Sequence, residues 1–190
     1  MHFPTRPAMF ISSTDARRRI QSGLSLIETL ICSSVVSLVA GVAAPGFTGI
    51  TERAKLSGAA AQLRTDVQLA RSLAVAENRN VRIRYQAVAN GSCYVIYTGS
   101  PGACSCDVTG LAVCTGTARA VRSEAFSQVN FAMQSNVGDM TLDALKGTVS
   151  PTGTVKFTGK SGTSVHVVVN LMGRTRLCTP TAGWTSQPAC

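Results

Sequence analysis

The sequence has 190 residues, of which 14% are charged and 45% are hydrophobic, with a mean hydropathy of +0.19. A chain of this length has room for one domain plus an anchor, which argues against two independent domains. The average hydropathy is apolar for a soluble protein but ordinary for a chain with one stretch in lipid. Lys and Arg exceed Asp and Glu by 18 to 9, and the net charge of +9 favours polyanions such as nucleic acid or anionic lipid headgroups.

The N-terminal segment has a polar half followed by an apolar half. Residues 1–21 are polar and basic, and the polar part ends at Gly23. Residues 24–44 are apolar, and about 21 residues at about 1.5 Å each cross a hydrocarbon core of about 30 Å. A secretory signal peptide has its apolar region before the cleavage site, which is the opposite order. The sequence therefore predicts a polar leader followed by one membrane-spanning helix.

Glu28 is the one charged residue in this apolar segment. A carboxylate inside a membrane costs several kcal/mol unless it is paired, so such a residue is a candidate functional site. The alternative is that Glu28 reaches the membrane interface, because it lies one turn from the start of the helix.

Gly23, followed by an apolar residue and by Glu28 five positions into the remaining chain, resembles the type IV prepilin family. The resemblance implies cleavage after Gly23 by prepilin peptidase, methylation of the new amine of Leu24, and pairing of Glu28 with that amine during assembly. It also implies a single-pass protein of a Gram-negative inner membrane, with its globular domain in the periplasm, and associated with a pilus or extracellular after assembly. The family usually has Phe or Met where this chain has Leu24. Cleavage removes four arginines and one aspartate, which lowers the net charge from +9 to +6.

The remaining chain has one helical pattern followed by strand patterns. Apolar residues recur at helical spacing within residues 51–77, with Arg53, Arg64, Asp66 and Arg71 placed elsewhere around the axis. Period-two alternation follows in residues 81–85, and the turn signal Asn90-Gly91 predicts a hairpin with residues 93–98. Residues 99–116 are expected to form an irregular loop, and further strands are predicted at 126–133, 154–157, 164–171 and 174–178.

These patterns predict an α+β fold in which a long N-terminal helix, half transmembrane and half amphipathic, packs on one or two small antiparallel sheets. The predicted organisation is a cleaved leader at 1–23, a transmembrane and assembly helix at 24–50, and a globular domain at 51–190 that includes the amphipathic helix 51–77.

Six of the seven cysteines lie in the globular domain, and this even number indicates up to three disulfides in an oxidising compartment. Six cysteines allow 15 pairings, so the sequence leaves the pairing open. The alternative for Cys104 and Cys106 is a metal site, which their one-residue spacing disfavours. The candidates are Cys93, Cys104, Cys106, Cys114, Cys178 and Cys190.

A basic motif precedes the C-terminal cysteines. Gly173 permits a tight turn, and Arg174 and Arg176, two apart on an extended segment, lie on the same side. Two guanidinium groups on one face suit a phosphate backbone, although two arginines on a solvated strand face are also common. Further candidate contacts are Arg79, Arg82, Arg84, Lys156 and Lys160, if folding gathers them on one side. Trp184 either packs on the sheet or stacks on a base.

A Gly-Arg-x-Arg stretch before a C-terminal Cys, behind a prepilin-like N-terminus, resembles the FimT branch of the FimT/GspH minor pilins. That resemblance implies non-specific binding of double-stranded DNA during natural transformation, with Gly173, Arg174 and Arg176 as the DNA-binding residues. The alternative is a structural minor pilin, or a GspH-like pseudopilin of type II secretion, whose partners are other pilins.

An enzymatic function lacks the required residues. His166 is the only histidine after the leader, and it lies in an apolar strand pattern where a structural role is expected. The sequence has no paired carboxylates, Ser/His/Asp set, phosphate-binding Gly loop or metal-ligand cluster. We therefore expect no catalytic site, cofactor, metal or small-molecule substrate.

Overall fold

The computed structural model describes residues 25–180 and 187–190, with the side chains of residues 42–48 left out of the description. Helix α1 spans Leu26–Ala76 and is followed by eleven strands within the described residues. In the described part of the chain, no helix is both long enough and apolar enough to cross a membrane. Along the first turns of α1 the large apolar side chains are exposed, including Leu26, Leu30 and Leu38.

The chain divides into two compact units, and the buried core residues found among the described side chains all lie in the second, Ala44–Cys190. In this unit α1 buries one face, as the helical pattern predicts. The buried apolar positions, each at most 1% exposed, are Leu56, Ala60, Leu63, Val67, Ala70 and Ala74. The helix ends at Ala76, and Asn78 adopts a positive φ of 48° just beyond it, which suits a residue that terminates a helix.

The strands form two main antiparallel sheets and one small hairpin. One sheet has five strands in the order β5-β2-β1-β7-β8, the other has four in the order β11-β10-β9-β6, and β3 pairs with β4. The strands are β1 (Val81–Val88), β2 (Gly91–Thr98), β3 (Cys104–Cys106), β4 (Ala112–Cys114), β5 (Arg119–Ser127), β6 (Phe131–Ser135), β7 (Asp139–Leu142), β8 (Val149–Ser150), β9 (Gly153–Gly159), β10 (Ser164–Val169) and β11 (Thr175–Cys178).

The two main sheets share one core with α1. Phe126 of the five-stranded sheet lies 5.6 Å from Phe157 of the four-stranded sheet, measured between ring centroids, with the rings edge to face. Tyr94 lies 5.9 Å from Phe126. Such aromatic pairs add to the free energy gained by burying apolar area. The predicted α+β class with antiparallel sheets is confirmed.

Two predictions about the strands were wrong. Residues 126–133 are not one strand, because Gln128 to Asn130 form a turn between β5 and β6. The segment 99–116 is not wholly irregular, because it contains the β3–β4 hairpin. The predicted hairpin is confirmed, with β1 and β2 paired along their full lengths. Its two-residue turn is Ala89-Asn90, one residue earlier than predicted, and Gly91 is the first residue of β2.

The six candidate cysteines form three disulfides, which are Cys93–Cys106, Cys104–Cys114 and Cys178–Cys190. Cys104 and Cys106 therefore bond to different partners, which excludes the metal-pair alternative for these two residues.

The helical pattern places Asp66 elsewhere around the axis than the apolar positions, but the structure buries its side chain fully together with them. Its Oδ2 accepts a hydrogen bond of 2.6 Å from the Tyr94 hydroxyl and lies 3.1 Å from Nε of Arg122. Burial raises the pKa of the Tyr94 hydroxyl, and the hydrogen bond to Asp66 raises it further. The hydrogen bond from Tyr94 on β2 and the ion pair with Arg122 on β5 therefore offset the cost of burying a carboxylate on the core face of the helix.

Candidate nucleic-acid interface

The two motif arginines lie at an edge of the four-stranded sheet. Arg174 directly precedes β11, Arg176 lies within it, and both are exposed. Leu177, the next residue, packs against the core, so Arg176 lies on the outer face of the strand. Among the described residues, β11 is the end strand of this sheet, next to β10, so the arginines border a sheet edge.

The turn before β11 holds Arg174 by several backbone contacts. Gly173 has a φ of +69° and donates its N–H to the carbonyl of Asn170 at 2.9 Å. The Asn170 side chain accepts the N–H of Arg174 at 2.9 Å. The expected tight turn at Gly173 is present, and its positive φ is one that glycine adopts without strain.

Helix α1 supports the same turn from the core side. Nε2 of Gln68 donates to the carbonyl oxygen of Gly173 at 3.1 Å. A Cβ at position 173 would lie 3.2 Å from Cδ of Arg71 and 3.3 Å from Val149. A larger residue would therefore press on two neighbours, and Gly173 is required for the close approach of this turn to the helix as well as for its φ.

The other predicted basic contacts are not brought to this edge. Arg82 and Arg84 lie on β1 of the five-stranded sheet, where Arg82 donates to the Gly99 carbonyl and to Thr141, and Arg84 lies 3.7 Å from Asp139. Arg79 lies beside Arg82 in a surface groove of the same region.

The two candidate lysines belong to the four-stranded sheet but lie away from Arg174. Lys160 lies in the turn between β9 and β10, at the opposite end of β10 from the Gly173 turn. Lys156 pairs with His166, two strands away from β11. Folding therefore does not gather the predicted basic residues into one patch.

The last residues of the chain, Ala189 and Cys190, contact the C-terminal end of β11 and the residue after it. The Cys178–Cys190 disulfide joins β11 to the chain end, and Thr179 bridges Ala189. Sγ of Cys190 lies 3.6 Å from Nδ1 of His166. His166, Cys178 and Cys190 thus cluster, but the two sulfurs are bonded to each other and are not free to bind a metal. Trp184 lies outside the described residues.

His166 lies on the outer face of β10, half-buried. Burial lowers the pKa of its imidazole, and the positive charge of Lys156 lowers it further. Within the described ranges its Nε2 is a buried atom with no hydrogen-bond partner. Both effects on the pKa favour the neutral form of the imidazole.

The residues predicted for processing and assembly lie elsewhere. Gly23 and Leu24 lie outside the described residues. Glu28 lies in the first turn of α1 and is exposed, where an acidic side chain suits the positive end of the helix dipole.

A family model described as type II transport protein GspH matches residues 59–173, which is more than half of the sequence. The chain belongs to the GspH family. GspH-family proteins are type IV pilin-like, and this chain is accordingly a minor pilin or pseudopilin whose expected partners are other pilins. The family places the globular domain in the periplasm or with a pilus, and it is a family of structural proteins rather than enzymes. The matched residues end at Gly173, so Arg174 and Arg176 lie outside them.

Two solved structures of the Pseudomonas aeruginosa type IV minor pilin FimU are similar to this GspH-family chain. The crystal form in space group P21 is 22% identical and covers 67% of this chain and 91% of FimU, with a TM-score of 0.49. The form in space group P65 is 21% identical and covers 64% and 91%, with a TM-score of 0.46. No curated protein matches the sequence significantly.

Proposed function

We propose that this chain is a FimT-like minor pilin that binds extracellular double-stranded DNA without sequence preference, for uptake in natural transformation. The observation that carries the proposal is the pair Arg174 and Arg176, which are exposed beside an edge strand with their guanidinium groups bonded to none of the described residues. By contrast, Arg82, Arg84 and Arg122 already have protein acceptors. The backbones of residues two apart in an extended segment are separated by about 6.6 Å, and two unpaired guanidinium groups at such positions suit successive backbone phosphates.

The proposal includes the way in which the chain reaches a pilus. Prepilin peptidase would cleave after Gly23, the amine of Leu24 would be methylated, and Glu28 would pair with that amine on the same or a neighbouring subunit. Residues 24–44 would anchor the protein in the inner membrane before assembly. The exposed apolar residues at the start of α1 support this, because lipid or neighbouring pilin helices would cover them.

A second function is a structural one, as a minor pilin that primes assembly or as a pseudopilin of type II secretion. The observation that favours it is the family model itself, which is described as a type II transport protein. On this alternative Glu28 and the apolar helix are essential, while Arg174 and Arg176 can be replaced without effect on function.

The test is a gel-shift titration of the unit Ala44–Cys190 with short duplex DNA at about 50 and about 200 mM salt. The Arg174→Gln/Arg176→Gln variant should bind at least about tenfold more weakly at low salt. Its affinity should depend less on salt, by about one unit of slope per arginine. The unmodified unit should bind two unrelated duplexes equally, because phosphate contacts carry no sequence information.

Circular dichroism of the same samples is the control that the variant folds. Binding that is absent at low salt, or unchanged in the folded variant, contradicts the DNA-binding proposal. Absence of binding would favour the structural alternative.

A further inference from the structure

A stripe of three polar residues runs along α1 beside the proposed DNA-binding strand. Arg64, Gln68 and Arg71 occupy positions i, i+4 and i+7, which lie on one face of a helix. This face adjoins the buried one, because Leu63 and Ala70 next to it are fully buried. The two arginines are about 10.5 Å apart along the helix axis.

Contacts at both ends place this stripe alongside β11. At one end, Gln68 bonds to the Gly173 carbonyl, and Arg71 packs against Gly173. At the other end, Arg64 lines a surface groove together with Leu177 and Gln187. Arg71 thus lies beside the Gly173 turn and Arg64 shares a groove with Leu177, so the helix and the strand run in opposite directions along this edge.

The charge around this edge is uncompensated. Within the described ranges, no ion pair or hydrogen bond involves the guanidinium group of Arg64, Arg71, Arg174 or Arg176. Four of the described carboxylates have partners elsewhere: Asp66 and Glu124 bind Arg122, Asp139 lies beside Arg84, and Glu52 accepts from Ser161. Four like charges along one edge repel one another, and an anionic ligand would relieve that repulsion.

We propose that Arg64 and Arg71 belong to the same phosphate-binding surface as Arg174 and Arg176. This inference rests on the proposed DNA-binding function and adds a second row of arginines to the proposed surface. The helix row is Arg64 and Arg71 on α1, and the strand row is Arg174 and Arg176 at the edge strand β11. The arginines of the helix row are spaced further apart than those of the strand row, so the two rows suit phosphates at different spacings on a duplex. Because the helix row is part of the packed core unit, it adds affinity without the cost of ordering a loop.

The test is a titration of the full chain in non-ionic detergent micelles with short duplex DNA over about 50 to 200 mM salt. Three double variants are compared with the unmodified chain. They are the helix pair Arg64→Gln/Arg71→Gln, the strand pair Arg174→Gln/Arg176→Gln, and a matched control, Arg79→Gln/Arg119→Gln, whose two arginines are exposed in the region of the five-stranded sheet.

We expect the helix pair and the strand pair each to lower the salt slope by about two units. Over the fourfold rise in salt, the factor by which each variant loses affinity would then be about 16 times smaller than the factor for the unmodified chain. The control pair removes the same charge from elsewhere and should change the slope by less than half as much.

The outcomes separate this inference from the function on which it rests. If the strand pair weakens binding and the helix pair behaves like the control, the helix row is wrong and the proposed function stands. If no variant changes binding, both the helix row and the proposed DNA-binding function are wrong.

A fourth variant, Arg64→Lys/Arg71→Lys, excludes a purely structural effect. This variant keeps the two positive charges but changes the shape of the side chains. Its salt slope should stay close to that of the unmodified chain, because lysine also binds phosphate as a point charge. Loss of binding in this variant equal to that of the glutamine pair would contradict a phosphate-binding role for the helix row.

Discussion

Replacing Asp66 by alanine should lower the free energy of unfolding by about 3 kcal/mol. The side chain is fully buried, and its removal leaves the buried Tyr94 hydroxyl without its acceptor. An unsatisfied buried donor costs about 1–3 kcal/mol, and the cavity adds to this. Arg122 suffers less, because it is 40% exposed and keeps Glu124 at 2.9 Å. Urea denaturation followed by circular dichroism measures the change.

A double-mutant cycle with Tyr94→Phe separates the hydrogen bond from the cavity. If the hydroxyl is the main loss, Asp66→Ala/Tyr94→Phe should be more stable than the sum of the single effects by about 1–3 kcal/mol. Asp66→Asn keeps an acceptor at the same place and should cost less than Asp66→Ala. A loss below about 1 kcal/mol for Asp66→Ala would show that the buried carboxylate does not stabilise the contact between α1 and β2.

Replacing both Cys178 and Cys190 by serine should also lower stability by about 3 kcal/mol. The two residues are 12 apart in sequence, and closing a loop of that size removes about this much conformational freedom from the unfolded chain. Because Cys178 ends β11, the same variant should also loosen the strand that carries Arg176. We therefore expect weaker DNA binding in addition to lower stability, measured by denaturation and by gel shift.

The matched control is Cys104→Ser/Cys114→Ser. That disulfide spans 10 residues and joins β3 to β4, away from β11. It should lower stability by a similar amount, about 3 kcal/mol, but leave DNA binding at its original strength while the protein remains folded. Equal loss of binding in both variants would mean that global stability, and not the position of β11, governs binding.

Local patterns in the sequence predict those parts of the fold that depend on neighbouring residues. The spacing of Leu56, Leu63 and Val67 places one face of α1 in the core, because a helix repeats every 3.6 residues. Asn90-Gly91 predicts the β1–β2 hairpin for the same kind of reason, because turn residues are a local signal. The turn itself falls one residue earlier, at Ala89-Asn90. The Gly173 turn belongs to this class as well.

Other features depend on residues far apart in the sequence and could not be predicted. Asp66 is buried because Tyr94 and Arg122 supply its partners, and neither is visible from the helical pattern. The disulfide pairing depends on the register of β3 with β4. For the same reason the helix row was missed, although the seven-residue spacing of Arg64 and Arg71 was a signal that they share a face. The contacts of Gln68 and Arg71 with Gly173, which join residues about 100 positions apart, place that face beside the strand motif.

The most direct test of the proposed surface is a nuclear magnetic resonance titration of the ¹⁵N-labelled unit Ala44–Cys190 with a short DNA duplex at low salt. We predict that the largest amide shift changes fall on residues 173–177 and along α1 at residues 64–71, and that they disappear as salt is raised. The largest changes in the five-stranded sheet, or no changes at low salt, would contradict binding at this edge.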